Sequence, residues 1–156
     1  SLMKIKKHYK LKIIGEKSTK EHSLELKKIK EFIRINNLKN VSINTNVPNK
    51  LISNYYKWCD FYIQPAFNEP ASISPLESLS FRKPVICSDT NGIKNYIKNG
   101  KNGYIFRDND LRSLTKAINK LIKNLKKIKN NLNKVEEKYL NSYLLKHLKL
   151  HHNVDF

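Results

Sequence analysis

Short apolar runs of four or five residues recur along this chain, and each is followed by a stretch whose apolar positions repeat every three to four residues. Leu11 to Gly15 reads as a strand ending at a glycine, and Lys20 to Asn36 places Leu26, Ile29, Phe32 and Ile33 on one helical face. Val41 to Asn44 is a second strand. Pro48 then opens a helix as a first-turn residue, with Leu51, Ile52, Tyr55 and Trp58 as its apolar face. Phe61 to Pro65 is a third strand, followed by a loop and a helix from about Ile73 to Phe81. Pro84 to Ser88 is a fourth strand, Ile93 to Lys98 a helical turn closed by Asn99-Gly100, and Gly103 to Phe106 a fifth strand. A long helix follows on Leu111, Leu114, Ala117, Ile118, Leu121, Ile122 and Leu125. Strands alternating with helices through short connections argue for an α/β fold, a parallel sheet with helices on both faces. The sequence predicts one such domain over residues 1–126 and a helical C-terminal extension over 127–156.

Length and composition agree with that reading. A chain of 156 residues has room for one core. Its 39% hydrophobic and 28% charged residues are the balance of a globular protein. No apolar run reaches the roughly 20 residues of a membrane-spanning helix, and no apolar stretch follows the basic N-terminal residues as a secretory signal requires. Cys59 and Cys87 lie in apolar surroundings at no metal spacing, which predicts reduced core thiols and a cytoplasmic location. The net charge of +18 would attract nucleic acid or an anionic membrane surface. Yet only Arg34, Arg82, Arg107 and Arg112 among the 31 basic residues are arginine, and Lys is spread over nearly every segment. Readers of nucleic acid cluster Arg with interleaved aromatics, so the charge argues against nucleic acid and leaves peripheral membrane contact open.

Ligands of open parallel sheets bind beyond the carboxyl ends of the strands. The richest loop there is Gln64 to Glu77, which carries Glu69 and Glu77 with seven residues between them. Backbone N–H groups of Ser72, Ile73 and Ser74 would stand at the start of the following helix, where hydrogen bonds and the helix dipole favour a diphosphate. Glu69 could then accept from sugar hydroxyls and Glu77 from both hydroxyls of a ribose. On spacing alone the competing reading is the stronger: Glu69 caps the helix and Glu77 is a solvated helical residue.

The segment Asn68-Glu69-Pro70-Ala71-Ser72-Ile73-Ser74-Pro75-Leu76-Glu77-Ser78-Leu79-Ser80 resembles the E-x7-E region of family 4 retaining glycosyltransferases of the two-domain GT-B type. Its surroundings follow in the family's order. Leu11 to Glu16 resembles the strand and glycine that open this part of the fold, and Asn40 to Ile43 with Val47-Pro48 the next strand and loop. Tyr55 to Pro65 resembles the helix and strand leading into the motif. Lys83 to Asp89, Asn91-Gly92-Ile93 and Asn99 to Phe106 follow, so the likeness covers roughly residues 5 to 125.

The resemblance implies a Rossmann-like, nucleotide-sugar-binding domain that lacks the family's first strand. It implies transfer of a hexose, with retention and without a metal cofactor, to a glycan or lipid-linked acceptor, as in polysaccharide biosynthesis. It assigns Glu69 as the catalytic carboxylate contacting donor sugar hydroxyls and Glu77 to the ribose. Ala71, Ser72 and Ile73 present backbone amides to the donor, and Gly15 and Leu76 complete the donor-binding set. Charge building on the leaving diphosphate would be met by preorganised donors.

Three departures stand out. Ala71-Ser72 replaces the family's Phe-Gly, and Phe81-Arg82 stands where a small residue and glycine are usual. The Arg and Lys that follow the family's first strand and neutralise the diphosphate have no counterpart in this chain, nor has the acceptor-binding domain, so a missing N-terminal acceptor domain or a partner chain is expected as a partner. An alternative within the same ancestry is a degenerate, non-catalytic module that binds a nucleotide or a protein. A third, from another class, is a basic surface-binding protein. Leu132, Val135, Tyr139, Leu140, Tyr143, Leu144 and Leu148 form an apolar set in the tail, predicting a C-terminal segment that stays undocked or pairs with a second copy as a homodimer; folding back on its own sheet is the alternative. His151-His152 reads as solvated tail. Gly15 with Glu16-Lys17-Ser18 is too short a signal alone, although Lys17 could reach a phosphate, and Asp89 to Gly92 reads most simply as a turn that could line the donor pocket.

Overall fold

The structure, a computed structural model, describes residues 9–65, 69–70 and 72–135. The candidate Ala71 and the apolar tail positions Tyr139, Leu140, Tyr143, Leu144 and Leu148 lie outside the described residues. The chain divides into two compact units, Ser1–Ser53 and Asn54–Phe156.

In the first unit, β1 (Leu11–Gly15) and β2 (Val41–Thr45) pair in parallel, Leu11 opposite Val41 and Gly15 opposite Thr45. Helix α1 (Lys20–Ile35) lies between them in sequence. Thr19 caps it by accepting from the His22 N–H at 3.1 Å. Alternation sends Leu11, Ile13, Val41 and Ile43 to half-buried positions and their neighbours to solvent. The burial is thin. No residue of α1 is fully buried, and Phe32, expected on the covered face, is exposed, as are Leu24 and Ile35. A two-stranded sheet offers too little apolar area to cover a four-turn helix.

Helix α2 (Asn49–Trp58) contains the boundary between the units. It starts one residue after Pro48, whose carbonyl accepts from the Leu51 N–H at 2.8 Å. Its buried residue is Tyr56, whereas Leu51 and Trp58, expected on the apolar face, are exposed.

The second unit carries a three-stranded parallel sheet in the order β3 (Tyr62–Gln64), β4 (Val85–Ser88), β5 (Gly103–Phe106). All four residues of β4 are buried, and successive side chains enter opposite faces. Val85 and Cys87 join Leu76, Leu79, Ile93, Ile97, Ile128 and Leu132 on one face. Ile86 joins Phe106, Ala117, Ile118 and Leu121 on the other. The continuous apolar run is what a parallel strand covered on both faces requires.

Helix α4 (Leu111–Asn133) serves both cores, its first half through Ala117, Ile118 and Leu121 and its last turns through Ile128 and Leu132. The helix therefore runs without a break through the position where an extension was expected to start, and Leu132 is 3% exposed within its own unit. Asp110 caps it, accepting from the Ser113 N–H at 2.9 Å, while the Ser113 hydroxyl accepts from the Arg107 N–H at 2.8 Å. Burial in this unit pushes the Cys87 thiol up to about 12, helped by the Asp89 charge and opposed by Lys94; it also raises Cys59. Both cysteines are free thiols.

Short helix α3 (Ser74–Ser80) follows β3 and ends in a turn in which the Lys83 N–H bonds to Ser78 O at 2.9 Å and the Arg82 N–H to Leu79 O at 2.8 Å. This bonding pattern puts one residue in the left-handed region, and that residue is Arg82, at φ +57°. The other non-glycine residues there among those described are Asn37, Asn46 and Asn109, a type that tolerates the conformation. The glycine usual at the Arg82 position in the resembling family thus has a backbone reason. Arg82→Gly is expected to stabilise the protein by about 0.5–1 kcal/mol by removing the Cβ strain, net of the added freedom of the unfolded chain. Urea denaturation would read it, and a midpoint that falls would contradict it.

Candidate functional site

The loops at the carboxyl ends of β3 and β4 meet through backbone. The Gly92 N–H donates to Glu69 O at 3.0 Å. A Cβ built on Gly92 would lie 1.9 Å from Pro70 O, so glycine alone fits against that carbonyl. The loop bearing Gly92 is itself held. Asn91 is fully buried and its Oδ1 accepts from the Ile93 N–H at 3.1 Å; its Nδ2 has no partner among the described residues. Asp89 Oδ1 accepts from the Asp108 N–H at 2.9 Å, and Lys94 Nζ donates to Asp89 O at 2.6 Å. Glu69 is thus placed by its main chain while its side chain stays half-exposed, and it is not the cap of α3, whose capping residue is Ile73.

Glu77 sits in the first turn of α3 and is also half-exposed. The Tyr56 hydroxyl donates to its Oε2 at 2.9 Å and approaches Ser74 O at 3.2 Å. Tyr56 is 6% exposed, stacked on Phe81 with centroids 5.4 Å apart and edge-on to Tyr62 at 5.9 Å. Burial, and then the Glu77 charge, push the Tyr56 phenol far above its usual value. Tyr62 rises to about 12 from burial, with a Ser74 hydrogen bond opposing and the Glu77 charge adding to it. Glu77 is therefore partly solvated and partly held: one of its oxygens accepts from a buried donor. Neither Glu69 nor Glu77 has a cationic partner among the described residues.

The remaining candidates divide. Ser72 is 7% exposed, so its side chain is packed rather than offered to a ligand. Ile73 is half-buried, and its carbonyl accepts from the Leu76 and Glu77 N–H groups. Leu76, at 1% exposure, belongs to the core with Val85 and Ile93, so its side chain is packed inside. Gly15 belongs to the first unit, where its carbonyl accepts from the Asn46 N–H at 3.1 Å; a Cβ on it would meet nothing within 4 Å. Lys17 is held through its main chain by the Asn46 side chain. Tyr56 and Gly92 are the residues that sequence reasoning undervalued. Tyr56 adjoins Tyr55 in an amphipathic helix, and helical periodicity does not say that Tyr56 is the fully buried one.

Among the described residues there is no group of three or more His, Cys, Asp and Glu side chains suited to a metal, and no helix long and apolar enough to cross a membrane. The profile of the glycosyl transferases group 1 matches residues 1–139. The chain belongs to that family. It is 26% identical over 98 residues to an uncharacterised glycosyltransferase of Methanocaldococcus jannaschii, covering 63% of this chain and 28% of that protein. It is 25% identical over 117 residues to an uncharacterised glycosyltransferase of Haemophilus influenzae, covering 74% and 31%. The chain thus spans less than a third of the length of these relatives. Among solved structures, HepE of Anabaena in complex with UDP superposes at a TM-score of 0.73 and 17% identity, over 96% of this chain and 43% of that one. Sucrose-phosphate synthase of Thermosynechococcus elongatus gives 0.72 at 18%, over 92% and 38%. The fold of this group 1 glycosyltransferase chain is that of a GT-B C-terminal domain.

Two glycine substitutions separate the constrained position from the free one. Gly92→Ala is expected to destabilise by about 1–3 kcal/mol, because backbone has to move to admit the methyl group. Gly15→Ala is expected to be neutral or to stabilise by up to about 1 kcal/mol through the unfolded state. Thermal melting of both variants reads the contrast, and equal shifts would contradict it.

Proposed function

We propose that this chain is the nucleotide-sugar-binding part of a retaining glycosyltransferase of family 4, which moves a hexose from a nucleotide donor to a glycan or lipid-linked acceptor. The observation that carries the reading is the pair Glu69 and Glu77 at the carboxyl end of β3, both half-exposed and neither neutralised by a cation among the described residues. Carboxylates so placed accept hydrogen bonds from hydroxyls, and a nucleotide sugar offers them at both ends, on the sugar and on the ribose. Family membership supports sugar transfer as the reaction class. Support for the donor comes from fold neighbours solved with UDP and with UDP-glucose.

In this reading Glu69 contacts the donor sugar and Glu77 the ribose. The diphosphate lies against the main chain around residues 71–73. Its leaving charge is met by preorganised N–H donors without a metal, which costs no reorganisation at the moment of bond breaking. The acceptor is brought by the remainder of the protein, because transfer requires both substrates at near-attack distance.

Titration of the chain with UDP, ADP and GDP by calorimetry tests the site. Glu77→Gln is expected to weaken the tightest of the three by about 1–3 kcal/mol, the scale of hydrogen bonds to a charged group, while the fold survives. An affinity unchanged by Glu77→Gln would remove Glu77 from the ribose.

A further inference from the structure

The buried phenol beneath Glu77 has a role the donor-binding reading leaves unassigned. We propose that Tyr56 is the positioning residue that sets Glu77 for the nucleotide's ribose, an inference that rests on the assignment of Glu77 to that ribose. At 6% exposure Tyr56 is too covered to be a ligand contact itself. Its hydroxyl lies 2.9 Å from Glu77 Oε2 and 3.2 Å from Ser74 O, one turn earlier on the same helix. A single donor therefore ties the carboxylate to its own helix and removes the rotamers an exposed Glu would otherwise sample. Two neighbouring hydroxyls on a rigid ring need an acceptor whose oxygens stand in one orientation. A carboxylate has about four lone-pair sites, and Tyr56 occupies one of them on Oε2, while no described residue is hydrogen-bonded to Oε1.

The donor is itself clamped. Phe81, at the C-terminal end of α3, stacks on the Tyr56 ring at an interplanar angle of 21°, and Tyr62 of β3 meets it edge-on at 63°. Such aromatic pairs favour one ring geometry. Phe81 stands where the family usually has a small residue, so this chain's clamp comes with its departure from the pattern. Burial and the Glu77 charge raise the phenol's pKa, which keeps the proton on Tyr56 and preserves its role as donor.

The test compares ribose with deoxyribose, a contrast that a merely structural role does not move. Wild type, Tyr56→Phe, Glu77→Gln and the double variant are titrated with UDP, ADP and GDP and with their 2′-deoxy counterparts, alongside thermal melting. Tyr56→Phe retains the ring and is expected to reduce the preference for ribose about tenfold, the low end of what one hydrogen bond to a charged group contributes. The double variant is expected to lose no more preference than Glu77→Gln alone, because the two residues act as one unit. Should Tyr56→Phe not fold, Phe81→Leu, which loosens the clamp and keeps the hydroxyl, is expected to lower the preference in the same direction. A preference that survives Tyr56→Phe, or Phe81→Leu in that case, but disappears in Glu77→Gln overturns the role of Tyr56 and leaves the ribose assignment standing. Wild-type binding with no ribose preference, or no binding of any of the three diphosphates, overturns the ribose assignment and this inference with it.

Discussion

Val85, Ile86, Cys87 and Ser88 of β4 are all buried, and because a strand sends successive side chains to opposite faces, four consecutive residues need cover on two sides at once. Most of the second unit follows from that requirement. One face is filled by α3, the short turn at residues 94–96 and the end of α4, the other by the first half of α4. The 23 residues of α4 are about 34 Å of helix. That length lets a single element serve both cores, with Leu121 and Ile128 each fully buried in a different one.

The candidate site grows out of the same strand. The chain leaving β4 carries Gly92 back onto Glu69 and Pro70 in the preceding loop, at a distance that excludes any side chain. Glu77 owes its placement to the other neighbour of β4, helix α3, which packs Leu76 and Leu79 into the core and leaves Glu77 half-exposed. Core packing and site geometry are therefore coupled. Leu76, one residue before Glu77, fixes the helix by packing into the core.

The aromatic cluster shows how a departure from a family pattern can be absorbed. With Phe81-Arg82 in place of a small residue and glycine, the helix ends in a hydrogen-bonded turn in which Arg82 takes the left-handed conformation at φ +57°. A non-glycine residue there costs of order 1 kcal/mol. Phe81 meanwhile stacks on Tyr56 and shields the phenol that holds Glu77. The first unit has no comparable density: α1 buries no residue fully, and its Leu24, Phe32 and Ile35 remain exposed.

Much of the architecture was written in local patterns. Short apolar runs and period-3.6 repeats located the five strands and four helices of the described residues to within a few residues, except that α4 runs on well beyond Leu125. Both patterns depend on near neighbours in sequence and need no knowledge of the fold. The seven-residue spacing of Glu69 and Glu77 likewise made them candidates before any coordinates. Helical periodicity could not tell which apolar residue of α2 would be inside. It favoured Leu51 and Trp58, yet Tyr56 is the buried one, because its hydroxyl finds Glu77 21 residues away. It could not tell Leu76 as core from Leu76 as ligand surface, since both readings need an apolar side chain. Gly15 and Gly92 look alike in sequence; only the carbonyl of Pro70 makes one of them irreplaceable. Sequence period determined which elements form. Contacts between residues far apart in the chain decided which side chains those elements present, because burial and hydrogen-bond partners are properties of the packed whole.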